Sequence, residues 1–195
     1  AGILLDMINK TLFAISSEES RYMLNGALLV IRPDTLIMVS TDGHRLAHIE
    51  HSYSTGVSSE VRALVSKKAV GEIQRLLSEV PADDKVEFGR DENHLFFRVR
   101  GRLLISRMLA GQFPNYEAVL PRDSNRIVVL DREKLIAVLR RVSQFADERT
   151  RAVRLHLAPD EVKLSASSSE TGESEESLET EYAAEPLQIG FNAQY

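Results

Sequence analysis

The feature that most constrains this chain is a repeat. Leu29-Val30-Ile31-Arg32-Pro33-Asp34-Thr35-Leu36 returns 126 residues later as Leu155-His156-Leu157-Ala158-Pro159-Asp160-Glu161-Val162. In both places a helical pattern is followed by a strand, the Pro-Asp turn and a second strand. A duplicated unit of this size is a domain, so two related domains are expected, and function should lie in how such copies are arranged.

The order of elements supports the repeat more strongly than its few identities. From Asp131 to Phe145, the residues Leu135, Ile136, Val138, Leu139, Val142 and Phe145 recur at helical spacing, with Asp131 placed to cap the start. The same offset lands on Leu5 to Glu19, where Ile8, Leu12 and Ile15 predict a matching helix. A further helix is expected from Ser66, with Val70, Ile73, Leu76, Leu77 and Val80 on one face. Its counterpart would begin at Asn192, and the counterpart of a strand expected over Arg126 to Leu130 would fall before residue 1. The chain is therefore expected to be part of a longer protein. Its domains should span 1–122, lacking a first strand, and 123–195, stopping before a second helix and the last strands.

Between the helices, Gly26–Ile31, Leu36–Thr41, Arg45–Glu50, Ser59–Val65, Lys85–Gly89, Leu95–Arg100 and Leu103–Met108 read as strands. They are broken by Pro33-Asp34, Asp42-Gly43, Ser54-Thr55-Gly56, Asp91-Glu92-Asn93 and Arg100-Gly101-Arg102, all competent turns. Hairpin-sized connections predict an α+β fold with antiparallel sheets, because parallel pairing would need a crossover between most strands. Gly111 to Asn125, rich in aromatic residues and proline, is expected to connect the domains near its end while packing onto one of them.

With 43% hydrophobic and 27% charged residues and no long apolar run, the composition is that of a soluble globular protein without a membrane span. The chain has no cysteine, which excludes a disulfide frame or thiolate metal site and fits a reducing cytoplasm. A net charge of −5 argues against a generic basic nucleic-acid binder, but the charges are segregated. Glu170, Glu173, Glu175, Glu176, Glu179, Glu181 and Glu185 form a run without Lys or Arg, expected to be an acidic hairpin. Lys67, Lys68 and Arg75 gather on one helix, and Arg132, Lys134, Arg140 and Arg141 on another. Such a division suits a chain that tracks phosphates with one surface and meets a basic partner with the other; the plainer reading is a solvated helix face.

The densest cluster of reactive residue types is Thr41-Asp42-Gly43-His44-Arg45-Leu46. Asp42 and His44 invite a hydrolase reading, but no G-x-S-x-G, Walker or G-x-G-x-x-G motif accompanies them, and a turn glycine separates them. His44, His48 and His51 make a poor metal set, since on a strand His44 and His48 would share a face and His51 would point away. No metal or other cofactor is expected. Asp42-Gly43 also reads as a simple hairpin turn, or as the rim of a groove in which His44 and Arg45 stand beside apolar Leu24 and Leu46.

Several blocks resemble one family in order along the whole chain: Arg21-Tyr22-Met23-Leu24-Asn25-Gly26, Thr41 to Ala47, Gly111-Gln112-Phe113-Pro114-Asn115-Tyr116, Val119-Leu120-Pro121, Arg151 to Leu155 and Ile189-Gly190-Phe191-Asn192 to Tyr195. They are similar to the bacterial DNA polymerase III beta subunit, the replicative sliding clamp. The resemblance covers most of that subunit's middle domain and the front part of its third. It implies repeated clamp domains, with antiparallel sheets outside and two helices per domain lining a hole for duplex DNA. Two head-to-tail subunits would form the ring, a non-enzymatic and cytoplasmic processivity factor with no membrane attachment. Its partners would be DNA polymerase III, the clamp loader and other proteins that bind through short hydrophobic peptides.

The resemblance also implies residue roles. The peptide pocket would use Leu24, Thr41, Gly43, His44, Arg45, Leu46, Pro114 and Val119, with Asn192 and Tyr195 from the third domain. DNA would be faced by Lys10, Lys67, Lys68, Arg75, Arg132, Lys134, Arg140 and Arg141. Phe145, Glu170, Glu173, Glu175 and Glu176 would meet the other subunit. The chain departs from the pattern at Thr150, where a bulkier apolar residue occurs in relatives, and at Gln144, which would weaken the Phe145 anchor.

Overall fold

The structure, a computed structural model, describes residues 1–121 and 124–195 and divides into two compact units, Ala1–Leu120 and Pro121–Tyr195. The boundary expected between Arg122 and Asp123 lies outside the described residues.

In the first unit, helix α1 (Gly2–Asn9) is followed by a four-stranded antiparallel sheet of β1 (Gly26–Ile31), β2 (Thr35–Thr41), β3 (Leu46–Ser52) and β4 (Val61–Ser66), in the order β3-β2-β1-β4. Helix α2 (Lys67–Ser78) leads to a three-stranded antiparallel sheet of β5 (Glu87–Arg90), β6 (His94–Val99) and β7 (Arg102–Arg107). The second unit contains α3 (Arg132–Val142) and β8 (Ala152–Ala158), β9 (Glu161–Ser168), β10 (Gly172–Glu179) and β11 (Leu187–Asn192), ordered β10-β9-β8-β11.

The two sheets repeat each other in strand order, and in register except at the outer pair, where Gly172 lies opposite Ser168 while its counterpart Leu46 lies opposite Thr41, one residue displaced. Ile31 pairs with Leu36 as Leu157 pairs with Val162, and Gly26 with Ser66 as Ala152 with Asn192. Each correspondence keeps the 126-residue offset. Most of the acidic run forms the expected hairpin, β9–β10. The helices break the offset. The 3-10 turn Leu12–Ala14 after α1 corresponds to Ser143–Phe145 after α3, 131 residues on, and buried Met7 and Thr11 match buried Val138 and Val142 at the same spacing. The five extra residues lie in the first unit's connection to its sheet, which includes a 3-10 segment, Glu19–Leu24.

That insertion explains the main correction. The helix expected over Leu5 to Glu19 ends at Asn9, and Ile15 is already extended with ψ 128°. Thr11 lies fully buried because its hydroxyl donates to the Met7 carbonyl at 2.8 Å. Arg126 to Leu130 form no strand; the segment is held by a side chain instead, the Thr180 hydroxyl donating to the Val129 carbonyl at 2.8 Å. Arg45 falls outside β3, so His44 and His48 do not share a strand face. The α-helix expected to reach Phe145 tightens into the 3-10 turn after Val142.

Helices α2 and α3 begin where local chemistry dictates. The Ser66 hydroxyl accepts from the Ala69 N–H at 3.3 Å, and the Asp131 carboxylate from the Lys134 N–H at 2.8 Å, each satisfying an amide that the helix leaves unpaired. Beyond its cap, α2 buries Val70, Ile73, Leu76 and Leu77 on one stripe.

All six residues of β1 are buried, because both sheet faces are covered. Ala27, Leu29 and Ile31 join Met7, Ile8, Val70, Ile73 and Leu77 in the core beneath the helices. Leu28 and Val30 join Ile37, Val39 and Leu64 in a second cluster, closed by Leu24, Phe113 and Tyr116. The segment after β7 is therefore part of the first unit's packing, as its aromatic content suggested. Among the described residues no helix is long and apolar enough to cross a membrane.

Phe113→Ala should destabilise the first unit by about 3 kcal/mol, the usual cost of emptying a buried aromatic site. A urea titration checks this as a lower midpoint with an unchanged slope.

Candidate functional site

The turn from Thr41 to Leu46, between β2 and β3, is organised almost wholly by its own side chains. The Thr41 hydroxyl donates to the Arg45 carbonyl at 2.7 Å and accepts from the Gly43 N–H at 3.0 Å. Asp42 Oδ1 accepts from the main-chain N–H groups of His44 and Arg45, each at 3.0 Å, and its Oδ2 takes the Arg45 Nε–H at 3.1 Å. Gly43 sits at φ +91°, where a side chain is strained, and a Cβ there would lie 2.6 Å from Arg21 Nη1. Asp42 thus serves the turn. Its two oxygens are spent on N–H donors, which leaves no carboxylate geometry for the hydrolase expectation.

Burial works against the charge on Asp42, but the two main-chain amides and the Arg45 guanidinium outweigh it, and the carboxyl titrates below its ordinary range. The fold therefore holds the charged form. This contribution to stability is present above the ordinary carboxyl pKa and is lost as pH falls through the depressed value.

Around the turn, the expected pocket residues of the first unit come together unevenly. Leu24 is buried in the second core cluster, and Leu46 packs against that cluster, so the two share an apolar floor. Pro114 and Val119 are exposed, Val119 at 68%, on the segment that Phe113 and Tyr116 anchor in the same cluster. Gly43 and His44 are exposed at the tip, while Arg45 is half-buried. Arg45 also reaches away from the turn: its Nη2 donates to the Phe13 carbonyl at 2.8 Å, and its guanidinium lies 5.2 Å from the centre of the Phe13 ring. Sequence reasoning missed Phe13, because nothing in a helical pattern signals a contact 32 residues away. In the second unit, Asn192 accepts the Gln194 N–H through its side chain at 2.9 Å, and Tyr195 is 55% exposed.

The basic candidates divide in two. Lys67 is tied down, donating to the Ile15 carbonyl at 3.3 Å and to the Ser17 hydroxyl at 2.6 Å. Lys10 pairs with Asp6 at 3.0 Å, Arg75 with Glu72 at 3.0 Å and Glu79 at 3.4 Å, and Arg132 with Glu133. Lys68, Lys134 and Arg140 are exposed. Arg141 grips Glu176 through two hydrogen bonds, 2.7 and 2.5 Å, from α3 to β10. Two residues expected on different surfaces therefore neutralise each other within one unit. Glu175 is likewise held by Lys163 at 3.1 Å, while Glu170 and Glu173 are exposed and Phe145 packs against the second unit's core. Among the described residues no group of three His, Cys, Asp or Glu could hold a metal ion.

Comparison with known proteins places this geometry. A family model described as the DNA polymerase III beta subunit, central domain, matches residues 2–115, and one described as that subunit's C-terminal domain matches 117–195. The chain belongs to the DNA polymerase III beta subunit family. It is 33% identical to the beta sliding clamp of Synechococcus elongatus, over all of this chain and 53% of the relative. With the beta sliding clamp of Chlamydia muridarum it shares 36% identity over 97% of this chain and 51% of the relative. The crystal structure of a Pseudomonas aeruginosa DNA polymerase sliding clamp with ligand superposes with a TM-score of 0.93 at 34% identity, covering 99% of this chain and 52% of that one. The chain thus spans about half the length of the curated relatives it matches. Two sheets of identical strand order are what a beta subunit's repeated clamp domains require.

Gly43→Ala should cost about 1–2 kcal/mol of stability, from the left-handed backbone the turn imposes, and show as a lower thermal midpoint. The Arg141 hydrogen bonds hold the Glu176 carboxyl below its ordinary pKa, so this ion pair fades as pH falls through the depressed value. In an NMR titration Glu176 should titrate below the usual glutamate value of about 4.3, and Arg141→Gln should return it there.

Proposed function

We propose that this chain is the middle domain (1–122) and part of the third domain (123–195) of a bacterial replicative sliding clamp. The whole protein would encircle duplex DNA as a head-to-tail dimer and tether DNA polymerase III and other proteins through a hydrophobic peptide pocket. It is non-catalytic and acts in the cytoplasm. The observation that carries this reading is the duplicated sheet, with the same strand order twice in one chain whose two halves match successive domains of one family. Repetition of one domain is how a ring is built.

Each surface has a physical role. The helices would face DNA, with Lys68, Lys134 and Arg140 the exposed cations best able to attract phosphates. Lys10, Lys67, Arg75, Arg132 and Arg141 would add a screened field, since their heads already have partners. Diffuse attraction of this kind keeps a ring on DNA without fixing its position. Strand β10 is a sheet edge carrying Glu173, Glu175, Glu176 and Glu179, so two copies of it would repel and a basic edge would suit it. That favours a head-to-tail junction built on β10, with Glu170, Glu173 and Phe145 meeting the other subunit. The Leu24–Leu46 floor, rimmed by Thr41, Gly43, His44 and Arg45 and flanked by Pro114 and Val119, would take the polymerase's hydrophobic tail. The clamp loader would be a further partner.

Retention on circular DNA tests the ring. The whole protein, loaded on a nicked circle, should stay bound and should leave when the circle is linearised; equal retention on both forms would contradict encirclement. Leu24→Asp and Arg45→Glu should each weaken a fluorescein-labelled polymerase-tail peptide at least tenfold while the thermal transition persists, roughly the effect of losing one well-buried contact.

A further inference from the structure

Three carbonyls of the short segment after α1 are taken by side chains from three different elements. Ser40 of β2 donates to the Thr11 carbonyl at 2.5 Å, Arg45 of the turn to the Phe13 carbonyl at 2.8 Å, and Lys67 of α2 to the Ile15 carbonyl at 3.3 Å. The segment is thereby held on both sides of Phe13. Its neighbours Leu12 and Ala14 turn toward the core, yet the Phe13 ring is 55% exposed and belongs to no core cluster. What the ring does touch is the Arg45 guanidinium, 5.2 Å from its centre.

We propose that Phe13 is the positioning residue for Arg45, fixing its guanidinium in a peptide-ready orientation before any ligand arrives; this rests on the pocket reading above. Asp42 holds the Nε edge and the Phe13 carbonyl holds Nη2 from the other side. The guanidinium carbon then lies over the ring, an arrangement favoured by the negative face of the aromatic π-system. A long arginine side chain left mobile would lose rotamer entropy each time a peptide docked, and prior ordering removes that cost from binding. Phe13 acts on the peptide only through Arg45.

The experiment measures the affinity of the full chain for a fluorescein-labelled polymerase-tail peptide in Phe13→Leu, Phe13→Tyr, Arg45→Ala, Leu24→Asp and the Phe13→Leu/Arg45→Ala double variant. Phe13→Leu keeps the carbonyl and the apolar bulk and removes only the aromatic face. It should weaken the peptide about two- to fivefold, the range of an exposed cation–π contact, without lowering the thermal midpoint. Phe13→Tyr should restore affinity, and in the Arg45→Ala background Phe13→Leu should cost nothing more. In the absence of peptide, the Nε–Hε NMR resonance of Arg45 should move in Phe13→Leu and stay in Phe13→Tyr. Unchanged affinity in Phe13→Leu beside a weakened Arg45→Ala overturns the proposal alone. So does a loss that persists in the double variant, which would mean that the ring touches the peptide itself. Unchanged affinity in both Arg45→Ala and Leu24→Asp overturns the pocket reading and this proposal with it.

Discussion

The first unit depends on the burial of β1 on both faces. A strand with all six residues out of water must be covered twice, and the two covers have different origins. Helices α1 and α2 close over Ala27, Leu29 and Ile31, and the segment after β7 closes over Leu28 and Val30 with Phe113 and Tyr116. The second cover anchors the segment that carries exposed Pro114 and Val119 to the cluster that holds Leu24, where Leu24 and Leu46 form an apolar floor.

On that floor the Thr41–Leu46 turn stands as a small polar structure of its own. Thr41 and Asp42 satisfy its main-chain groups from within, and Gly43 supplies the backbone angle that closes it. Because Asp42 is spent on the turn, the carboxylate that suggests acid–base chemistry acts as architecture. Arg45 links the turn to the segment after α1, and that segment is fastened in turn by Ser40 and Lys67. One network therefore joins α2, β2 and the turn through the segment after α1.

What was legible in the sequence was what is local. Ser66 and Asp131 announced their helices because a cap acts within three residues. The Pro-Asp turns fixed both hairpins, and with them the 126-residue offset between the β1–β2 and β8–β9 pairs. The helix after residue 5 was misread because five additional residues precede the first unit's sheet, so the offset that holds for strands fails for helices. Apolar spacing is a poor guide there: Leu12 and Ile15 keep a helical period in a segment whose 3-10 turn and extended backbone follow tertiary packing. The cluster of Thr41, Gly43 and Arg45 was visible as one motif. The Arg45–Phe13 and Arg141–Glu176 contacts were not, since each joins residues more than thirty positions apart.

The two units therefore repeat one strand order, each in its own sheet, and differ in what is attached to it. The first carries an inserted 3-10 segment with Leu24 and a covering segment with Phe113, and both additions converge on the turn. The most direct measurement of this account is a peptide titration followed by 1H–15N NMR on the full chain, using the polymerase-tail peptide. The account predicts shifts concentrated at residues 21–25, 41–46 and 113–119. Shifts centred instead on β5 to β7 or on β10, with the Thr41–Leu46 turn unmoved, would contradict it.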